Sequence, residues 1–546
     1  MDRDSAARAT AAHRGLLGGA RLRDEQRVSL RELPEHDTLV VVAPAAGKTA
    51  IYAIGGELLG GPTVVVSPTL SLQRDQARTL NEGGLAAEVL NSQLSAGRQR
   101  QTLERLAAGK LEFLLLAPEQ LTRDVVLDEL RRVRPTLFVV DEAHCISQWG
   151  HDFRPDYLSL AAVIEAIGRP RLLAMTATAA PTVREEIVER LGMRNVHTVV
   201  GDTDRPELHL SVRLLHDEQA KWKAVVSEAT ERDGSGIVYV STRRHAEQLT
   251  GRLRDTAVSA GVYHGALRRQ ERDATQDAFL RGELRVVVAT SAFGMGINKP
   301  DVRFVLHGDD PASIDAYHQE AGRAGRDGNP ASARLFHRPQ DLAVPAFFAG
   351  GGDPDPEQLA AVLRAVHEEP LTRSELARRT ALSARSLARL VSLLIAVGGL
   401  REEAGRRLST TSDVTRDQAV ENAVRHARRR REFEHSRVEM VRRYAETTGC
   451  RRRTLLELLG EVRDEPCQRC DNCDAGHGGK RAEQEGDSGP LRPGQRVTHP
   501  EFGTGTVQTL EGDSVVVLFD ESGYRTLSRR VAVERGLLTP EHTRGK

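Results

Sequence analysis

The sequence predicts an α/β protein built on two tandem, doubly wound parallel sheets, and three observations predict it. Short apolar runs alternate with helical stretches through residues 22–340. The runs themselves are continuous rather than alternating: "TLVVVA" (38–43), "PTVVVSP" (62–68), "FLLLAP" (113–118), "TLFVVDE" (136–142) and "RLLAMTAT" (171–178), then "GIVYVST" (236–242), "RVVVATS" (285–291) and "RFVLHG" (303–308). Strands covered on both faces read this way, and strands separated by helices wind into parallel sheets. The two sets of runs leave a gap near residues 195–220, which marks the break between the sheets.

The rest of the chain divides by composition. Residues 1–21 read as a flexible tail, 22–200 as the first α/β domain and 201–348 as the second. "AGGGDPDP" (349–356) is a linker by its Gly, Pro and Asp content. Residues 354–412 read as a winged-helix-like domain, with a plain three-helix unit as the alternative. There Thr372 and Glu375 have capping-box spacing, and Ser383 is placed to cap a helix over 384–397. Residues 413–475 read as a helical zinc-binding domain that opens with one or two long helices over 414–448. A polar linker, 476–490, precedes short strands with Gly-rich turns over 491–546, the pattern of a small barrel.

Bulk properties exclude some functions. The 546 residues carry 77 Lys plus Arg and 77 Asp plus Glu, so affinity for nucleic acid must come from local patches. No apolar run approaches the roughly 20 residues of a membrane span, and the polar N-terminus lacks the apolar core of a secretory signal. Four of the five cysteines, Cys450, Cys467, Cys470 and Cys473, cluster, while Cys145 stands alone. That is the pattern of a metal site in a cytoplasmic protein rather than of an extracellular disulfide framework.

The first chemical signal is "VVVAPAAGKTA" (40–50), a phosphate-binding loop with a defect. The motif G-x-x-x-x-G-K-[ST] follows an apolar strand. Gly47, Lys48 and Thr49 are in place, but position 42 is Val, and Ala45-Ala46 stand where glycines are usual. Lys48 would contact the β- and γ-phosphates of ATP, and Thr49 would bind Mg²⁺. Upstream, Gln26, with Arg23, offers an amide that can pair with an adenine edge.

"LFVVDEAH" sets Asp141 and Glu142 just past the carboxyl end of a strand, where α/β sheets bind ligands. Asp141 can hold Mg²⁺, and Glu142 can orient the attacking water. "YHQEAGRAGRDG" (317–328) brings Gln319, Arg323 and Arg326. The spacing of the two arginines predicts one helix face, from which they can stabilise charge on the γ-phosphoryl group.

The spacing C-x₁₆-C-x₂-C-x₂-C lets four thiolates converge on one tetrahedral Zn²⁺; redox chemistry of the C-x₂-C pairs is the minor alternative. Between 422 and 453, eleven arginines face four glutamates, an excess that reads equally as a DNA-tracking stripe or as a solvated helix face.

At this point the motifs resemble a known family. "DEAH" continues into "CISQWGHDFRPDY" (145–157), which resembles the aromatic-rich loop of RecQ-family DNA helicases of superfamily 2. So do "VVVSPTLSLQRDQ" (64–76), "LLAPEQL" (115–121), "MTATAAPTVREEI" (175–187), "DRPEL" (204–208), "VYHGALRRQER" (262–272), "VATSAFGMGINKPDVRFVLH" (288–307) and the cysteine set. DEAH-box RNA helicases lack that loop and those cysteines.

The resemblance implies ATP held between two RecA-like domains and 3′→5′ movement on single-stranded and forked DNA in repair or recombination. It implies catalytic roles for Lys48, Asp141, Glu142, Gln319, Arg323 and Arg326. It also implies that His144, Gln148, Trp149, His151, Phe153 and Arg154 couple DNA to ATP. Trp149 and Phe153 offer faces for base stacking, and Arg154 a phosphate contact. It makes the zinc site structural and the protein cytoplasmic and nucleoid-associated.

Two departures stand out. The family's loop commonly reads P-T-G-x-G-K-S; here residues 43–49 are Ala-Pro-Ala-Ala-Gly-Lys-Thr. If the missing glycine must take positive φ, Ala45 costs about 1–2 kcal/mol, or about tenfold in nucleotide affinity. The alternative function is a DNA-binding scaffold whose ATPase has decayed. The winged-helix-like segment also precedes the zinc module instead of following it. Finally, "RPGQRVTHPEFGTGTVQTLEGDSVVVLFD" (492–520) resembles the Tudor-like C-terminal barrel of UvrD/PcrA-type helicases. That implies a protein partner, RNA polymerase or a repair factor, with a plain structural cap as the alternative.

Overall fold

The computed structural model describes residues 3–43, 46–147, 154–177, 180–294, 299–342, 353–403, 407–412, 414–461, 463, 465–477, 491–492, 494–511, 513–520 and 522–540. Ala45, Gln148, Trp149, His151 and Phe153 lie outside these residues, as do the 343–352 and 478–490 stretches.

The first lobe is a seven-stranded sheet of β1 (Asp37–Val41), β2 (Thr63–Val66), β3 (Ala87–Leu90), β4 (Phe113–Leu116), β5 (Leu137–Val140), β6 (Arg171–Thr176) and β7 (Val196–Val200), in the order β3-β4-β2-β5-β6-β1-β7. All neighbouring pairs are parallel. Successive side chains point to opposite faces. Thus Leu39, Val41, Val64 and Val66 fill one core, and Val40, Val65 and Leu115 fill the other. Helices close both faces, which is why these strands carry unbroken apolar runs.

The second lobe is a six-stranded parallel sheet of β8 (Leu208–Leu214), β9 (Ser235–Tyr239), β10 (Ala260–Tyr263), β11 (Val286–Ala289), β12 (Val302–His307) and β13 (Ala331–His337), in the order β10-β11-β9-β12-β13-β8. The apolar runs gave no sign of β3, β7, β8, β10 or β13. Four of these are outermost strands. Strands β3, β7 and β8 mix buried with half-exposed residues, as a strand covered on fewer sides does.

Beyond the lobes, helices Pro356–Glu368, Arg373–Thr380 and Ala384–Ala396 enclose a small core with β14 (Leu371–Thr372), β15 (Leu400–Glu403) and β16 (Arg407–Thr410), an antiparallel sheet. Thr372 and Glu375 cap each other reciprocally, and Ser383 Oγ accepts from Ser386 N at 3.2 Å. One 31-residue helix, Arg416–Glu446, leads to the cysteines. Strands β17 (Arg496–His499), β18 (Gly503–Glu511), β19 (Ser514–Phe519), β20 (Gly523–Ser528) and β21 (Thr539–Pro540) form an antiparallel sheet in the order β20-β19-β18-β17-β21.

The end of the long helix, the cysteine module and the C-terminal sheet are packed onto the second lobe. Met440, Val441, Tyr444, Leu455, Leu458, Cys470 and Val516 belong to the same core as Tyr317, Phe293 and Leu335. Tyr444 Oη donates to Tyr317 Oη at 3.0 Å, and Leu210 pairs with Cys470 in a parallel bridge. Four of the eleven arginines between 422 and 453, Arg437, Arg451, Arg452 and Arg453, are buried in this packing. Arg437 is 4% exposed and pairs with Asp315, Arg451 pairs with Asp471, and Arg452 donates to the Leu208 carbonyl.

Candidate nucleotide and zinc sites

The nucleotide site grows from the carboxyl ends of β1 and β5. Gly47 takes φ 79° and opens helix Lys48–Leu59, whose first turn has no side-chain cap. The unpaired N–H groups and the positive end of the helix dipole make that terminus a site for an anion. Glycine suits position 47 for its positive φ, and an added Cβ would lie 2.5 Å from Gln26 Nε2 and displace that amide.

Lys48 reaches across to the other strand end. Its Nζ lies 3.2 Å from Glu142 Oε1 and 3.8 Å from Asp141 Oδ1. Burial works against its charge, but Glu142 and Asp141 outweigh burial and hold its pKa above the ordinary lysine value. Burial raises Asp141, opposed mainly by Lys48. Gln76 Nε2 donates to Asp141 Oδ2 at 2.7 Å. His144, fully enclosed, joins Thr176 Oγ1 at 2.9 Å and lies 3.4 Å from Glu142 Oε2.

The second lobe supplies the facing wall. Helix Ile314–Ala321 ends at Gly322, so Arg323 and Arg326 lie in the turn that follows it, not on the helix face that their spacing suggested. Gly322 ends the helix before either arginine is reached, and Gly325, at φ 66°, keeps it from resuming between them. Arg205 fixes this turn by donating to the carbonyls of Gly322 at 2.8 Å and Ala324 at 2.9 Å. Burial, then Arg323 and Arg205, push the Arg326 guanidinium down to about 9. Arg326 also interacts electrostatically with Asp75 and Lys48 of the first lobe. Gln319 Nε2 and Arg323 Nε are buried and have no hydrogen-bond partner among the described residues. Two adjacent guanidinium groups and an idle amide facing a helix N-terminus suit a polyanion.

Other expected site residues take different places. Gln26 spends its amide on the loop, donating to the carbonyls of Ala46 at 3.0 Å and Gly47 at 3.3 Å. In this structure that edge faces the loop, which it buttresses. Arg23 contributes its backbone N–H to Gln26 Oε1 at 2.9 Å, and its residue is exposed. Arg154 Nη1 donates to the Pro68 carbonyl at 2.6 Å, which ties Arg154 to the segment after β2. His144 sits inside the site, joining Glu142 to β6. Gln76, Thr176 and Arg205 were not singled out from sequence; each lies within a quoted motif, but its partner is far along the chain.

The four clustered cysteines converge, their Sγ atoms all within 4.8 Å of one another, and Cys467 Sγ lies 3.9 Å from Cys473 Sγ. Tetrahedral Zn²⁺ with sulfur ligands at about 2.3 Å asks for such separations. Cys467 N donates to Cys450 Sγ at 3.2 Å and Arg469 N to Cys467 Sγ at 3.4 Å, bonds that favour thiolates. Asn472 Nδ2 ties the module together through the carbonyls of Thr447 at 2.8 Å and Gly449 at 2.7 Å. The residues fit zinc.

Two parallel-sheet lobes with a lysine loop and acidic pair on one wall and an arginine turn on the other define the tandem RecA-like helicase core. Family models agree: DEAD/DEAH box helicase over residues 23–187, helicase conserved C-terminal domain over 220–328, and RecQ zinc-binding over 411–474. The ATP-dependent DNA helicase RecQ of Haemophilus influenzae is 32% identical over 449 residues, 82% of this chain and 60% of the relative. The ATP-dependent DNA helicase RecQ of Synechocystis is 32% identical over 455 residues, 81% of this chain and 92% of the relative. Among solved structures, the Mycobacterium smegmatis helicase Lhr bound to ssDNA and AMP-PNP shares the fold, with a TM-score of 0.52 at 21% identity, covering 76% of this chain and 61% of that one. The chain belongs to the RecQ family. It spans about three fifths of the length of its Haemophilus relative.

Proposed function

We propose that this chain is an ATP-dependent 3′→5′ DNA helicase that couples hydrolysis to movement along single-stranded DNA and to unwinding of forked duplex. The observation that carries the reading is the pairing of two walls: Lys48 held by Glu142 and Asp141 on one lobe, and Arg326 of the other lobe within electrostatic reach of Lys48 and Asp75. A triphosphate entering between them would take Lys48 from Glu142. Glu142, still tethered near His144, would then orient water toward the γ-phosphorus. Gln319, Arg323 and Arg326 would stabilise the charge that develops there. Thr49 and Asp141 would hold Mg²⁺, which supplies charge neutralisation on the phosphates.

The decayed-ATPase reading has only Ala45 in its favour, because Lys48, Thr49, Asp141, Glu142 and both arginines are present. Relatives named for DNA helicase activity support DNA over RNA as the track. The 354–412 segment is read as a winged helix that contacts duplex, and the Tudor-like barrel as a dock for RNA polymerase or a repair factor. A cytoplasmic, nucleoid-associated protein fits this work. Among the described residues no helix is long and apolar enough to cross a membrane.

The deciding measurement is phosphate release with and without single-stranded DNA. Stimulation by DNA is expected, with competition by matched RNA weaker. Lys48→Ala should abolish turnover, and Glu142→Gln should lower kcat by on the order of 10²-fold or more. Absence of phosphate release under every strand condition would overturn the proposal.

A further inference from the structure

We propose that the C-terminal barrel acts in cis as a latch on the motor, closing through the buried side chain of Gln508 against the Gly460 turn that meets the first lobe, and that its release governs the rate of the ATP cycle. The inference rests on the helicase reading above and adds regulation to it.

The barrel is bonded to the second-lobe body. Tyr524 N donates to Ser436 Oγ at 3.0 Å, Arg525 pairs with Glu432 at 2.9 Å, and Val516 joins the second-lobe core. This body meets the first lobe at Gly460. Gly460 takes φ 89°, and a Cβ there would lie 3.2 Å from Pro181 Cδ and 3.6 Å from Gln508 Oε1. Barrel strand β18, the zinc-module turn and the start of first-lobe helix Pro181–Arg190 therefore come together at one point. Next to it, Thr203 Oγ1, in the connection between the lobes, donates to Glu461 Oε1 at 2.6 Å.

Gln508 is poorly matched to that place. It sits where the β18–β19 register shifts between Val507 and Thr509, a bulge that re-aims its side chain. It is 2% exposed, yet neither Nε2 nor Oε1 has a partner among the described residues. A buried amide unpaired at both ends penalises the contact that encloses it. The contact is thus close enough to form and costly enough to release, which is what a bistable latch requires.

The first-lobe helix leads back to the ATP site. Ser147 Oγ donates to Glu186 on that helix, at the residue before the 148–153 loop. β6, just before the helix, carries Thr176, bonded to His144 at 2.9 Å, and His144 lies 3.4 Å from Glu142. Movement of the lobes around a nucleotide shears the helix against Gly460 and Gln508, so the latch resists the same motion that sets Glu142.

The test compares full-length wild type, Gln508→Leu and Gln508→Glu by ATPase assay and by hydrogen exchange of 181–190 and 503–511, with and without AMP-PNP and magnesium. Zinc content and melting temperature control for folding. Leucine removes the unpaired amide and should tighten the latch: exchange slows in both segments, and DNA-stimulated kcat falls at least threefold while the KM for ATP moves less than twofold. Glutamate puts charge into the contact and should open it: exchange quickens in both segments, and DNA-independent hydrolysis rises at least threefold. Equal exchange across the three proteins, or altered turnover with unaltered exchange, overturns the latch. If Gln508→Glu does not fold, the leucine variant decides alone, and wild-type exchange and kcat in it overturn the proposal. If wild type releases no phosphate, the helicase reading fails, while the exchange comparison still judges the contact.

Discussion

Lys48 shares its ammonium between two carboxylates, and each substitution around it has a separate physical consequence. Lys48→Ala removes the phosphate contact and also strands Asp141 and Glu142 without their counter-charge, so stability should fall by about 1–3 kcal/mol along with activity. Glu142→Gln keeps the shape and isolates the water-orienting role proposed for Glu142. His318 provides a pH signature in the second lobe. It is 5% exposed, its Nε2 lies 3.2 Å from the Thr203 carbonyl, and burial pushes its pKa down to about 4. The unfolded chain takes up a proton at this residue near pH 6.5, and the folded chain does so only near 4. Stability from this group is therefore complete above about 6.5 and declines as pH falls toward 4, by up to about 1.4 kcal/mol per pH unit. Denaturant titrations from pH 7.5 to 5 should show that slope in wild type and a shallower one in His318→Gln.

The helix Ala384–Ala396 carries a different kind of prediction at the scale of the element. Its buried side, Leu387, Leu390, Val391 and Leu394, faces the segment's own core. Arg385 and Arg389 are exposed one turn apart, and the helix contains no acidic residue. If this is the duplex-reading element, the Arg385→Ala/Arg389→Ala pair should weaken duplex affinity and flatten the log K against log salt slope by about 2. Equal slopes for variant and wild type in fluorescence anisotropy would leave the helix a packing element. The same logic sets three of the 422–453 arginines apart: Arg437, Arg451 and Arg452 are buried and pair with Asp315, Asp471 and Asp204, so their substitution should cost stability before it costs DNA affinity.

At the scale of the molecule, the second lobe shares a core with the end of the long helix, the cysteine module and Val516 of β19, while the first lobe is filled by cores of its own. Zinc should therefore stabilise more than its own module. Its removal by a chelator should loosen β8 and β13, through Leu210–Cys470 and the Asp471 Oδ2 that accepts from Val212 N at 2.8 Å, while β1 and β5 keep their protection. Exchange measured on both lobes after chelation checks this; loss of protection in β1 and β5 equal to that in β8 would refute the division.

The sequence by itself determined the two parallel sheets, because strands covered on both faces must be apolar throughout. It also determined the chemistry, because a lysine loop, an acidic pair at a strand end and four spaced cysteines keep their meaning in any register. Tertiary structure alone decided what Gln26, Arg154, Arg205 and the arginine run do. A polar side chain's role depends on which distant carbonyl or carboxylate the fold brings beside it. The outer strands were hidden for a related reason: with fewer neighbours to bury them, their residues need not be apolar, and only pairing reveals them.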